Sequence, residues 1–147
     1  MSVEIRPYDG GDESGVLDLW REAFPNPKPH NDPGSSIRRK LDVQRDLFFV
    51  AVDGDEVVGT AMAGYDGHRG WVYSVATSSA RRREGVGRAL MERVEAELVE
   101  RGCPKLNLQV DETNSGVVAF YDALGYRVEP RISMGKVLAP GKPGRER

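Results

Sequence analysis

The sequence predicts a mixed α/β domain, and three features predict it. Segments of helical period alternate with short apolar runs. Three such runs follow one another at turn spacing between residues 47 and 77. An arginine-rich loop bearing two glycines then stands where the last of them gives way to a long amphipathic helix. The element order reads β-α-α-β-β-β-α-β-α-β, a mixed sheet covered by helices.

Val3 to Arg6 is a short strand stopped by Pro7, and a helix follows in which Asp12 or Ser14 can cap and Val16, Leu17, Trp20 and Phe24 share one face. Pro25 ends it, and the four prolines between Pro25 and Pro33, with His30, Asn31 and Asp32, predict an extended connection. A more basic helix is expected from about Ser35 to Asp46, with Ile37 and Leu41 inward. Leu47 to Val52 and Val57 to Tyr65 flank Asp53-Gly54-Asp55 and read as an antiparallel hairpin. After the polar loop Asp66 to Gly70, Trp71 to Thr77 completes a meander. Val86, Leu90, Val94 and Leu98 mark the long helix, which Gly102 and Pro104 terminate. Leu106, Leu108 and Val110 alternate as a strand, Ser115 to Leu124 forms a last helix closed by Gly125, and Ile132 to Leu138 is expected to form a final strand. One domain over residues 1–139 and a basic flexible tail over 140–147 account for the chain.

With 147 residues, 39% hydrophobic and 30% charged, the chain has the size and composition of one folded domain. Its 21 basic and 23 acidic residues leave a net charge of −2, so no global field collects nucleic acid. No apolar run approaches a membrane span and the polar start is unlike a secretory leader, so a cytoplasmic protein without a membrane partner is expected. The lone Cys103 and the separated His30 and His68 predict neither a disulfide nor a metal site. Core packing is the default expectation for Trp20 and Trp71, and a structural role for Cys103.

Arg82-Arg83-Glu84-Gly85-Val86-Gly87 lies at a strand-to-helix junction, where the first main-chain amides of the helix lack internal partners. An anion is the natural ligand. Gly85 and Gly87 remove side chains that would hold a phosphate away, and the helix dipole adds about half a unit charge. Arg81, Arg82, Arg83 and Arg88 add positive potential. The same pattern also describes a solvated basic helix start. A P-loop is disfavoured because no Lys-Ser or Lys-Thr follows the glycines, and a dinucleotide fingerprint because GxGxxG is absent.

These residues resemble the Arg/Gln-x-x-Gly-x-Gly/Ala loop of the GNAT family of N-acetyltransferases. Val75-Ala76-Thr77 is similar to that family's splayed strand end, and Asn114 with the Phe120–Tyr126 segment FYDALGY resembles its Asn and FYxxLGF/Y helix. Asn31-Asp32-Pro33, residues 64–70 and residues 101–105 are similar to the small bacterial YpeA-type members. One departure is Glu84, a charged residue where many members carry glycine.

The resemblance implies a GNAT-like acyl-CoA N-acyltransferase fold. Acetyl-CoA would be the co-substrate, bound by Val75, Ala76, Thr77, Arg82, Arg83, Glu84, Gly85, Val86, Gly87, Arg88, Asn114 and Tyr121, and no metal would take part. It implies an amine acceptor attacking directly in a ternary complex, Tyr121 as the acid that protonates the departing thiolate, and a possible homodimer. Tyr121 also shares a helical stripe with Val117, Phe120 and Leu124 and can be read as a core aromatic; Asn114 can be read as a helix cap. For a general base, Asp32, Asp66 and Asp111 are candidates, with His68 as a cleft residue, each equally a turn or surface group. Two other functions stay open: a non-catalytic module sensing acyl-CoA or holding a partner, and an unrelated nucleotide-binding domain.

Overall fold

The computed structural model describes residues 2–138; the tail expected over 140–147 lies outside them. By its internal contacts the chain divides into two compact units, Met1–Leu108 and Gln109 onward.

The first unit is built on five strands, β1 (Val3–Pro7), β2 (Phe48–Asp53), β3 (Glu56–Tyr65), β4 (Gly70–Thr77) and β5 (Leu106–Asn107), lying side by side in chain order. The first four pair antiparallel, and β5 adds in parallel to the start of β4. The β2–β3 turn has Gly54 at φ +61°, as a tight hairpin requires. Helices α1 (Glu13–Ala23) and α2 (Pro33–Asp42) cover one face, and α3 (Val86–Glu100) packs against the sheet as well. β2 is buried on both sides, which explains why FFVAV lacks the polar alternation of a half-exposed strand. Its Phe48, Val50 and Val52 join Val16, Trp20 and Ile37 in one cluster, whereas Phe49 lies under the Arg93 guanidinium of α3 at 5.0 Å.

The long helix shows how periodicity becomes position. Val86, Leu90, Val94 and Leu98 are all buried, with Met91 beside them, and each such side chain contributes about 2 kcal/mol of burial. The fit is close at Gly59 of β3. A Cβ there would meet Val86 Cγ1 at 2.8 Å, Leu90 Cδ1 at 2.9 Å and the Ala76 carbonyl at 3.2 Å. The absence of a side chain lets the first turn of α3 settle onto β3 beside the end of β4.

Several boundaries depart from the sequence expectation. α2 begins two residues early because Asp32 caps it, accepting from the Ser35 amide (3.0 Å) with Pro33 in its first turn. It stops at Asp42, and Gln44 takes a left-handed φ of +55°. Asp12 does not cap α1 through its side chain; that carboxylate instead takes two hydrogen bonds from Arg6 (2.8 and 2.9 Å) and one from the Asp9 amide (2.9 Å). Phe24, expected on the inner face of α1, is 38% exposed, and Leu19 is buried instead. Trp71, expected in the core, is half-buried and stacked on Tyr73 (6.4 Å). The pleat explains it: Gly70 and Val72 are buried on the opposite side, and a Cβ on Gly70 would press on Cys103 and Leu98.

In the second unit, α4 (Ser115–Ala123) starts at Asn114 and is followed by Gly125 at φ +99°. The final strand expected over residues 132–138 does not form: residues 127–138 carry neither helix nor strand, and Ile132, Met134 and Leu138 are exposed. Alternation alone does not make a strand; a ladder must take up the backbone N–H and C=O groups, and none joins this segment. For the same reason β5 is two residues long where alternation predicts five.

The Arg6–Asp12 pair ties β1 to the start of α1, and the Arg6 guanidinium holds the Asp12 carboxyl below its usual range. Because the folded state depresses this pKa, the stabilisation is complete above the unfolded value of about 4 and is lost as pH falls through the folded one. Asp12→Asn is expected to cost about 2 kcal/mol at neutral pH. Urea denaturation at pH 7 and pH 3 checks both points, because the difference between wild type and variant must shrink at the lower pH.

Candidate functional site

β4 carries the first element of the site. Thr60 of β3 faces Ala76 and Met62 faces Tyr73, so the single residue Ala61 lies opposite both Ser74 and Val75. This bulge puts Ser74 at φ +53°, a strained value for a residue with a Cβ. A buried relay holds it: Thr60 Oγ1 donates to the Ser74 carbonyl (2.8 Å) and accepts from Trp20 Nε1 (2.8 Å). Sequence reasoning missed Thr60. The available signal was a lone hydroxyl inside an apolar strand, where a buried polar group must have partners.

Past the bulge β4 has a free edge among the described residues, since its ladder to β5 ends at Trp71–Asn107. The Ser78 amide bonds the Val58 carbonyl (2.9 Å) on the β3 side. By alternation, the amide of Thr77 is directed toward the edge without a partner strand. Val75, Ala76 and Thr77 thus lie along this edge, with the Ala76 side chain buried.

The second element is the loop into α3. Arg82, Arg83, Glu84 and Gly85 are exposed. Arg83 (φ +69°) and Gly85 (φ +82°) both take left-handed conformations, and a Cβ at Gly85 would meet nothing within 4 Å. Gly85 is therefore demanded by its dihedral, not by crowding. The Ala89 amide makes the first helical bond, to Gly85 (3.0 Å), and no side chain caps the helix. The amides of Val86, Gly87 and Arg88 precede that bond and belong to the unpaired first turn. Within the loop, the Glu84 amide bonds Arg81 (3.4 Å). Arg81 is an anchor: it bridges Asp53 (2.7 Å), Glu56 (3.5 Å) and Glu84 (3.6 Å), fastening the loop to the β2–β3 hairpin. Arg88 pairs loosely with Glu92 (3.7 Å) on the exposed helix face.

A cavity of about 580 Å³ opens beside the bulge. Trp20 and Phe24 from α1, Pro25 and Pro27 from the connection, Met62 from β3 and Tyr73 from β4 make it largely apolar. Ser74, the bulge residue that precedes the free edge of β4, also lines the cavity.

In the second unit, Tyr121 is buried, with edge-on contacts to Phe120 (4.9 Å) and Tyr126 (5.7 Å). Burial pushes its pKa up to about 12, so the phenol keeps its proton throughout the neutral range. Asn114 caps α4, its Oδ1 accepting from the Val117 amide (3.3 Å). The carboxylates weighed as bases are all engaged locally. Asp32 accepts from the amide and hydroxyl of Ser35, Asp66 from the amides of His68 and Arg69, and Asp111 from the amide and hydroxyl of Thr113. These bonds hold the three carboxyls below their usual range, which makes each a weaker base. Cys103 Sγ faces the Lys105 carbonyl (3.4 Å). Among the described residues, no cluster of three metal-ligating side chains forms, and no helix is long and apolar enough to cross a membrane.

The bulged strand β4 thus lies beside a helix start whose first amides have no helical partner. The profile of the acetyltransferase (GNAT) family matches residues 14–126, and the chain belongs to this family of acetyltransferases. An acetyltransferase from Pectobacterium atrosepticum is 42% identical over 136 residues, covering 92% of this chain and 96% of its own. Ard1 from Thermoplasma volcanium shares the fold with a TM-score of 0.79 at 21% identity, over 88% of this chain and 85% of its own. So does a NatC complex bound to a Gag peptide and CoA, with a TM-score of 0.73 at 20% identity over 84% of each chain.

Two measurements probe the site. Thr60→Val leaves Trp20 Nε1 and the Ser74 carbonyl without their hydroxyl partner, and should lower stability by about 2 kcal/mol in urea melts. The raised pKa of Tyr121 means that the unfolded chain ionises first, so stability should begin to fall above about pH 10. Tyrosinate absorbance, compared between wild type and Tyr121→Phe, should show one group titrating later than the rest.

Proposed function

We propose that this protein is an N-acetyltransferase that moves an acetyl group from acetyl-CoA to a primary amine by direct attack, both units acting as one domain over residues 1–139. The observation that carries the reading is the meeting of three features: unpaired amides at the start of α3, the free edge of β4 beyond its bulge, and a cavity adjoining that edge at Ser74. That the family profile runs from residue 14 to residue 126, through Asn114 and Tyr121, supports counting both units as one domain. The NatC complex, of the same fold, is one bound to CoA.

The residues fit such a ligand. In this reading the amides of Val86, Gly87 and Arg88, with Arg82, Arg83 and Gly85, hold the diphosphate, a task suited to a helix start with an open left-handed glycine. Glu84, the departure from the family loop, is turned to Arg81 at 3.6 Å, so its charge is partly compensated. The edge of Val75, Ala76 and Thr77 holds the extended arm and offers a main-chain amide to the thioester oxygen as negative charge develops there. Asn114 contributes to binding the arm. When bound, acetyl-CoA supplies the activated acyl group.

Tyr121 acts as the proton donor to the departing sulfur. A phenol held neutral by burial carries its proton through the neutral range and can hydrogen-bond to the sulfur as negative charge develops there; as its proton passes to the sulfur, the proton lost by the attacking nitrogen on amide formation restores the phenol. The amine enters from the apolar cavity and loses its proton to water, since Asp32, Asp66 and Asp111 serve as caps and turns. A cytoplasmic location is part of the same proposal.

Titration calorimetry with acetyl-CoA and a CoA-release assay over an amine panel test the reading. Wild type should bind acetyl-CoA, and Tyr121→Phe should lower kcat about a hundredfold with the coenzyme Kd nearly unchanged. Binding without turnover of any amine would return the sensing reading, and no binding would remove the basis for both.

A further inference from the structure

We propose, resting on the acceptor role given above to the cavity beside Ser74, that the acceptor is a small primary amine bearing a carboxylate and an apolar side chain, the size of an amino acid or dipeptide. The lining charges carry the inference. Two cations, Arg39 and Lys40 of α2, line the cavity, and no carboxylate does; its other polar members, Asn31, Ser36, Tyr73 and Ser74, are neutral. Its volume of about 580 Å³ matches a small-molecule site.

The two cations are placed to receive an anion. Lys40 is half-buried and donates its ammonium to the main-chain carbonyl of Ala63. Burial lowers its pKa, Asp46 partly offsets this, and Arg101 adds to it. Asp46 itself is engaged by Arg101. Arg39 lies exposed, held by the His30 carbonyl (3.0 Å) of the proline-rich connection. Asp32, whose ionised form Arg38 and Arg39 favour, has its Oδ2 taken by the Ser35 amide and hydroxyl. A desolvated ammonium bonded only to a neutral carbonyl gains from a carboxylate ligand.

The rest of the cavity fits the same molecule. Trp20, Phe24, Met62 and three prolines offer apolar contact to a side chain, and Ser74, also in the lining, directly precedes the strand edge proposed to hold the thioester. With its carboxylate on Arg39 and Lys40, such a ligand directs its amine toward the bulge. The cations also help the chemistry, because positive charge near an ammonium lowers its pKa and raises the fraction of neutral amine. A polyamine gains nothing here: its extra ammonium groups meet two like charges and no acid.

The test compares L-phenylalanine and L-leucine with phenethylamine and isoamylamine, which differ from them only by the carboxylate, and with spermidine. CoA release is measured at saturating acetyl-CoA. At least one amino acid should exceed its decarboxylated partner in kcat/KM by about tenfold, with spermidine below both, and Arg39→Gln should remove most of that ratio. Equal or better turnover of the decarboxylated amines or spermidine overturns the proposal, as does a ratio that survives Arg39→Gln. If none is turned over, calorimetry decides: saturable binding of either amino acid that Arg39→Gln abolishes supports it, and no binding of either overturns it. Acetyl-CoA affinity, measured in parallel on both proteins, shows separately whether the enzyme reading itself has failed.

Discussion

One buried hydroxyl holds the geometry on which the site depends. Thr60 Oγ1 joins the indole N–H of Trp20 on α1 to the Ser74 carbonyl on β4. A residue with a Cβ does not adopt φ +53° without compensation, and here the distorted carbonyl receives a hydrogen bond from a group that has no water to compete for it. The extra residue in β4 changes its register against β3, and beyond it the strand runs on with one edge open. The link also ties α1 to the part of β4 where Tyr73 and Ser74 line the cavity.

A second constraint sets the height of α3. With no side chain at Gly59, Val86 and Leu90 settle onto β3, where a Cβ would also press on the Ala76 carbonyl of β4. Arg81 then fastens the loop from the other side through Asp53, Glu56 and Glu84. The loop is thus held at Arg81 and at the start of α3 while its middle, Arg82 to Gly85, stays exposed, with Arg83 and Gly85 in left-handed conformations. Such a loop presents main-chain donors at little cost of reorganisation, which is what binding a diphosphate by backbone requires.

The electrostatics divide the labour. Positive potential belongs to the loop and to the α2 side of the cavity, and the carboxylates Asp32, Asp66 and Asp111 are absorbed by caps and turns. Burial keeps the Tyr121 phenol protonated through the neutral range.

Much of this was legible in the residues. The meander, the four-residue period of α3, the Asp53–Asp55 turn and the glycines at helix ends are local patterns, and local sterics decide them. The loop motif was legible as well, because left-handed Gly85 and the unpaired amides of a helix start are properties of a few consecutive residues. Other features were not. Trp71 looked like a core residue until the pleat turned it outward, Asp12 looked like a cap until Arg6 claimed it, and the apolar alternation of residues 132–138 looked like a strand though no ladder joins it.

What the sequence determined alone is the order of elements through α4, the glycine-bearing loop at the start of α3 and the family, since each is written in neighbouring residues. What only the tertiary structure decided is the bulge in β4, its brace by Thr60 and Trp20, and the gathering of Arg39 and Lys40 around an acid-free cavity. The bulge and its brace depend on the register of two strands and on Trp20 and Thr60, 40 residues apart, meeting at hydrogen-bond distance, and the cavity on α2 folding over Ala63 of β3; none of these pairings leaves a local trace in the chain.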